Sequence, residues 1–105
     1  TAAKLLQQYG SLEGIFAAVT RRDRQGRPEG GWHPRQAMTR VEALRAFTVG
    51  GAWAVGAEKD KGSLEAGRRA DFIAVDRDIL TCPEEEIGGT KVLRTVVGGE
   101  TVFLL

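Results

Sequence analysis

Apolar residues recur three and four positions apart over much of the first half of the chain. They alternate or run together over the last third, and a polar, glycine-rich stretch interrupts the first pattern. Leu5, Leu6 and Tyr9 share one face of a helix that Gly10 stops, and Ser11 then caps a second helix with Leu12, Ile15, Phe16 and Val19 on its buried side. From Arg21 to Gln36 neither apolar period holds, and Arg, Gly and Pro are frequent, so this stretch is expected to be a long loop. Thr39-Arg40-Val41-Glu42 has the spacing of a capping box, in which threonine and glutamate reciprocally satisfy the first free amides of a helix. Val41, Ala43, Leu44 and Phe47 continue at helical spacing. The pattern loosens from Thr48 to Gly51, and Ala52 to Val55 makes a short helix ending near Gly56.

Phe72-Ile73-Ala74-Val75 is apolar at consecutive positions, as expected of a strand covered on both faces, and Asp76 ends it. Pro83 followed by Glu84, Glu85 and Glu86 predicts one short helical turn, because proline suits a helix start and acids complement the dipole there. Lys91 to Val97 and Thr101 to Leu105 are rich in β-branched residues and flank Gly98-Gly99, which signals a hairpin. The fold class is therefore α+β, with N-terminal helices followed by a small antiparallel β-sheet and a C-terminal hairpin. One domain is expected over residues 1–105: a mainly helical part at 1–57 with its loop at 21–38, then a β part at 58–105.

Composition narrows the functions available. A chain of 105 residues is far short of the roughly 250 needed for a complete (β/α)8 barrel. Its formal net charge of +1, from 15 basic and 14 acidic residues, supplies no strong field for nucleic acid or an anionic membrane. The single Cys82 excludes an internal disulfide, and no long apolar run suggests a membrane span, so a cytoplasmic setting without membrane contact is expected.

The run Gly62-Ser63-Leu64-Glu65-Ala66-Gly67-Arg68-Arg69-Ala70-Asp71-Phe72-Ile73-Ala74-Val75-Asp76 joins a turn, a glycine corner and a strand. It resembles a segment near the C-terminus of metal-dependent amidohydrolases. Phe16 to Asp23 and Gly30-Gly31-Trp32-His33-Pro34 resemble the branch that includes N-substituted formamide deformylases, and Lys91 to Phe103 resembles the closing hairpin of the same proteins. The likeness covers residues 14–104. It implies a parent enzyme that hydrolyses C–N bonds with water activated by a divalent, zinc-type metal held at the mouth of a barrel. Within this chain no catalytic residue and no metal ligand set is recognised. There is no His-x-His pair, and His33 stands as the one histidine, where such an ion needs several ligands at once. The chain thus reads as a non-catalytic C-terminal segment, with no cofactor of its own.

The same resemblance places the loop after the last barrel strand, so that Arg21, Arg22, Trp32 and His33 would line the substrate entrance of an intact parent. Thr1 to Ile15, in contrast, resembles half of the helix-hairpin-helix element in the 5'-nuclease domain of bacterial DNA polymerase I. That likeness leaves two alternatives open: a DNA-binding fragment acting through the N-terminal helices, or a recombined chain with no natural function. Nucleic acid is not the expected partner, because Asp23 and Glu29 dilute the cluster Arg21, Arg22, Arg24 and Arg27. Asp71 is read as structural, accepting backbone hydrogen bonds from a turn. Self-association through the β part is expected, since Phe72, Ile73, Val75, Val92, Leu93, Val96, Val102 and Phe103 are too apolar for a sheet exposed on both faces. Leu44, Phe47 and Trp53 are expected to cover one of those faces.

Overall fold

The computed structural model describes residues 11–105, so the expected helix through Leu5, Leu6 and Tyr9, with its stop at Gly10, lies outside the described residues. The architecture is α+β. Helix α1 spans Ser11–Thr20, α2 Arg40–Arg45, α3 Gly51–Ala54 and α4 Glu84–Ile87; strands β1, β2 and β3 span Phe72–Val75, Val92–Val97 and Glu100–Leu104. The contacts gather into two compact units. One holds the described residues through Ala43 together with Ile79–Thr90, and the other holds Leu44–Asp78 together with Lys91–Leu105.

The first unit has the only continuous core among the described residues. Ile15, Ala43 and Ile87 are buried, and Leu12, Phe16, Val19, Met38, Ile79 and Cys82 pack against them. Ile15, Phe16 and Val19 are the helical positions the sequence pattern assigns to the buried side of α1. Ile87 is fully buried, which is worth about 1.5–3 kcal/mol for a side chain of this size. It closes α4, the short turn that follows Pro83 and begins with three glutamates. The capping box forms as the spacing requires: Thr39 N–H donates to Glu42 Oε1 at 2.9 Å and Glu42 N–H donates to Thr39 Oγ1 at 3.1 Å. The first of these bonds is the main reason the Glu42 carboxyl titrates below its ordinary range. Arg40 adds a tie to the other chain segment of this unit by donating to the Ile79 carbonyl at 3.1 Å.

In the second unit the backbone widens into a π-helical turn over Ala46–Gly50 before tightening into α3. This is where the sequence pattern loosens. Thr48 turns its hydroxyl back to the Leu44 carbonyl at 2.7 Å, a competition for backbone acceptors that disturbs helices. The Gly62–Asp76 run then lays down a turn held by its two arginines. Arg68 donates to the carbonyl of Glu58 and pairs with Glu65 at 3.0 Å, and Arg69 pairs with Asp60 at 2.7 Å.

The sheet is antiparallel in the order β1-β2-β3. Phe72 faces Val96, Ile73 faces Thr95 and Ala74 faces Arg94 across the first pair. Thr95 faces Phe103 and Arg94 faces Leu104 across the second, with a register shift between Thr95 and Val96. Gly98 and Gly99 form the turn at φ 58° and 81°, the doubly left-handed backbone that two-residue hairpins require. Asp71 Oδ1 accepts the Gly98 N–H at 2.7 Å, which is the structural part expected of it.

Two expectations need correction. β1 was expected to be covered on both faces, yet Phe72 and Ile73 are exposed. A consecutive apolar run reports that a strand suits two covered faces, while three strands by themselves provide no layer to cover them. Phe47 and Trp53 were expected to cover one face, and both are themselves exposed, Trp53 at 71%. Among the described residues no helix is long and apolar enough to cross a membrane.

Candidate functional site

The end of α1 builds the cluster that holds the candidate residues. Thr20 donates its hydroxyl to the Phe16 carbonyl at 2.8 Å and accepts the Arg22 N–H at 3.2 Å, which satisfies a buried polar group and turns the chain at once. Arg21 then takes a left-handed backbone, φ 58°, in the place where a helix commonly ends on glycine. Its N–H still reaches the Ala17 carbonyl at 2.8 Å.

From this corner Arg21 clasps the far side of the loop. Its carbonyl accepts the Trp32 N–H at 2.8 Å, its Nε donates to the Trp32 carbonyl at 2.8 Å, and its guanidinium carbon lies 5.1 Å from the centre of the Trp32 ring. A cation over an exposed indole contributes about 0.5–1 kcal/mol. Trp32 also meets the His33 ring edge to face, with centroids 4.3 Å apart at 77°. His33 is the second non-glycine residue with a left-handed backbone, φ 50°, and its carbonyl accepts the Gln36 N–H at the start of a short 3-10 turn, Pro34–Gln36. Gly31 makes the approach possible. A Cβ added there would lie 2.5 Å from the Thr20 carbonyl oxygen.

Arg22 is directed elsewhere. It pairs with Glu84 at 3.3 Å and lines an open cleft of about 670 Å³ together with Glu13, Phe16, Asp23, Arg24 and Gly88. Arg24 closes on Glu13 through both of its reaching nitrogens, the shortest contact being 2.7 Å. Asp23 organises the loop, accepting the N–H groups of Gln25 and Arg27 at 2.9 Å each. The Arg27 N–H, more than any other contact, holds the Asp23 carboxyl below its ordinary range. Of the four residues assigned to a substrate entrance, three therefore meet in one cluster, and Arg22 belongs to the cleft. Glu13 and Glu84 were missed by sequence reasoning. Their partners lie 11 and 62 positions away, and nothing local marks such a pairing.

The loop and the strands that follow it lie within one continuous likeness to known proteins, since residues 5–103 match the model of the amidohydrolase family. The chain belongs to the amidohydrolase family. An N-substituted formamide deformylase of Arthrobacter pascens is 40% identical over 91 residues, which is 87% of this chain and 16% of that protein. An imidazolonepropionase of Bdellovibrio bacteriovorus is 44% identical over 44 residues, covering 42% of this chain and 10% of the relative. An imidazolonepropionase of Deinococcus radiodurans is 39% identical over 62 residues, covering 59% of this chain and 15% of the relative. This amidohydrolase chain thus spans less than a fifth of the length of these relatives. No solved structure matches it. The nuclease likeness of residues 1–15 gains no support, because the family match already begins at residue 5.

Amidohydrolases are in general metal-dependent, and the donor set here does not fit such an ion. Among the described residues no group of three or more His, Cys, Asp and Glu side chains is placed to hold one. His33 has an indole and a nearby guanidinium for company, and Cys82 is half-buried against the core of the first unit. A transition-metal site needs about three or four such donors converging within bonding distance.

Proposed function

We propose that this chain is a non-catalytic part of the amidohydrolase architecture, in a cytoplasmic setting, and that hydrolysis of C–N bonds by metal-activated water belongs to a complete enzyme of the family. The observation that carries this reading is the donor set: one histidine in the whole sequence, with Arg21 and Trp32 around it rather than further ligands. Arg21, Trp32 and His33 form the substrate entrance of the complete enzyme, with Arg22 on the adjoining cleft. Two left-handed, non-glycine backbones in a single cluster support this part, because each costs about 1–3 kcal/mol and such strain gathers at binding sites. An exposed indole flanked by a guanidinium suits a planar amide or aromatic group, which it can stack on and hydrogen-bond at its edge.

The test has two readouts on the purified chain. Elemental analysis after chelator dialysis is expected to find no stoichiometric zinc, nickel or iron, and an N-substituted formamide incubated with the zinc-supplemented chain is expected to stay intact. One retained metal per chain, or turnover, would overturn the non-catalytic reading. For the entrance, a complete enzyme carrying this segment with Trp32→Ala is expected to show a raised KM for the formamide with kcat little changed. A KM that does not move would remove Trp32 from substrate contact.

A further inference from the structure

The loop at 21–38 leaves α1 at Thr20 and returns to the end of the same helix, where Gly31 lies against the Thr20 carbonyl and the Met38 N–H bonds the Ala18 carbonyl at 2.9 Å. Both hydrogen bonds that tie Trp32 to this corner come from Arg21, one from its carbonyl and one from its Nε. That grip depends on Arg21 keeping φ 58°, a backbone that glycine adopts without steric cost and arginine does not. Thr20 supplies the restraint. Its hydroxyl donates to the Phe16 carbonyl at 2.8 Å and accepts the Arg22 N–H at 3.2 Å, so one group spans Arg21 from the residue before it to the residue after it. Thr20 is only 7% exposed, and both of these bonds lie within residues 16–22, independent of any exposed face.

On the reading of Arg21, Trp32 and His33 as the substrate entrance of a complete enzyme, we propose that Thr20 is a positioning residue of that entrance: its hydroxyl, bridging across Arg21, keeps Arg21 left-handed and thereby fixes Trp32 where substrate meets it. Buried as it is, Thr20 acts only through its neighbour. Without the hydroxyl the Arg22 N–H loses its acceptor, a loss that a part-buried donor does not tolerate freely. Arg21 then relaxes toward the right-handed backbone, and its carbonyl and Nε turn away from Trp32. The chain supplies its own control. Thr90 is buried to a similar degree, 8% exposed, and its hydroxyl also bonds four residues back, to the Glu86 carbonyl at 3.3 Å, but no left-handed residue follows it. Its hydroxyl therefore serves stability and leaves Trp32 alone.

In a Trp53→Phe background Trp32 is the sole indole. There Thr20→Val is expected to lower the Trp32 fluorescence anisotropy, while Thr20→Ser, which keeps the hydroxyl, and Thr90→Val leave it unchanged. In a complete enzyme carrying this segment, Thr20→Val is expected to raise KM for the formamide about tenfold with kcat little changed, and Thr20→Ser and Thr90→Val to stay close to the parent. An anisotropy that Thr20→Val does not lower, or that Thr90→Val lowers equally, would overturn the proposal. A KM that responds to Trp32→Ala but not to Thr20→Val would overturn it and leave the entrance standing; a KM that responds to neither would remove the entrance itself. Should circular dichroism show that Thr20→Val does not fold, Arg21→Gly decides the matter. Glycine takes the left-handed backbone unaided, so the Arg21→Gly/Thr20→Val chain is expected to fold and to match Arg21→Gly alone in anisotropy. A double variant that stays unfolded, or whose anisotropy falls further, would show that Thr20 does not act through Arg21.

Discussion

Replacing Gly31 by alanine tests whether the approach of the loop to the end of α1 is as close as the structure shows. The change has two components. Gly31 has φ 87°, and an L-residue in a left-handed backbone costs about 1–2 kcal/mol, partly offset by about 0.4–1 kcal/mol from the lost freedom of the unfolded chain. The second component is steric. The new Cβ would lie 2.5 Å from the Thr20 carbonyl oxygen and 3.3 Å from the Arg21 Cβ. Neither is the far end of a flexible side chain, so the backbone must shift, at about 1–3 kcal/mol. The neighbouring Gly30 isolates the first component, since it has φ 78° and no heavy atom within 4 Å of an added Cβ. Gly30→Ala is expected to cost about 1 kcal/mol and Gly31→Ala about 2–4 kcal/mol, measured as the shift in urea midpoint at constant slope. In a Trp53→Phe background, Trp32 fluorescence should also move in the Gly31 variant alone, because the displaced backbone carries the Trp32 N–H bond to Arg21. Equal costs for the two variants, within about 0.5 kcal/mol, would refute the steric argument.

Ile87→Ala is expected to cost about 2–5 kcal/mol and Ile87→Val about 0.5–1.5 kcal/mol, read from urea unfolding, since Ile87 is the largest fully buried side chain among the described residues. Acid should destabilise the fold through Asp23, Glu42 and Asp76. Asp76 is held low first by the Arg77 guanidinium and then by the Lys91 N–H, while backbone N–H groups are the main cause for the other two. A carboxyl whose folded pKa is depressed contributes stability that is present above its unfolded value, about 4, and lost as pH falls through the folded value. The urea midpoint is therefore expected to fall as pH drops below about 4, and Glu42→Gln should flatten that acid limb; an unchanged limb would show the Thr39–Glu42 box to be indifferent to charge. Duplex DNA is expected to bind weakly and to dissociate at physiological salt. Sub-micromolar binding there would revive the nucleic-acid reading.

The sequence by itself determined the features whose causes are local. The Thr39–Glu42 box, the Pro83 helix start, the Gly98-Gly99 hairpin and the apolar side of α1 each arise from residues within one or two turns, where spacing dictates which groups can meet. Even the widened turn at Ala46–Gly50 left its trace as a broken helical period. Tertiary structure decided what depends on distant partners. Arg21 meets Trp32 and Arg22 meets Glu84 only because the loop folds back on α1 and because α4 returns to it. The four residues assigned to an entrance could accordingly be named but not divided between a cluster and a cleft. The same reason explains β1. Phe72, Ile73 and Val75 record that burial suits this strand, while whether anything covers it depends on layers that its own residues do not encode.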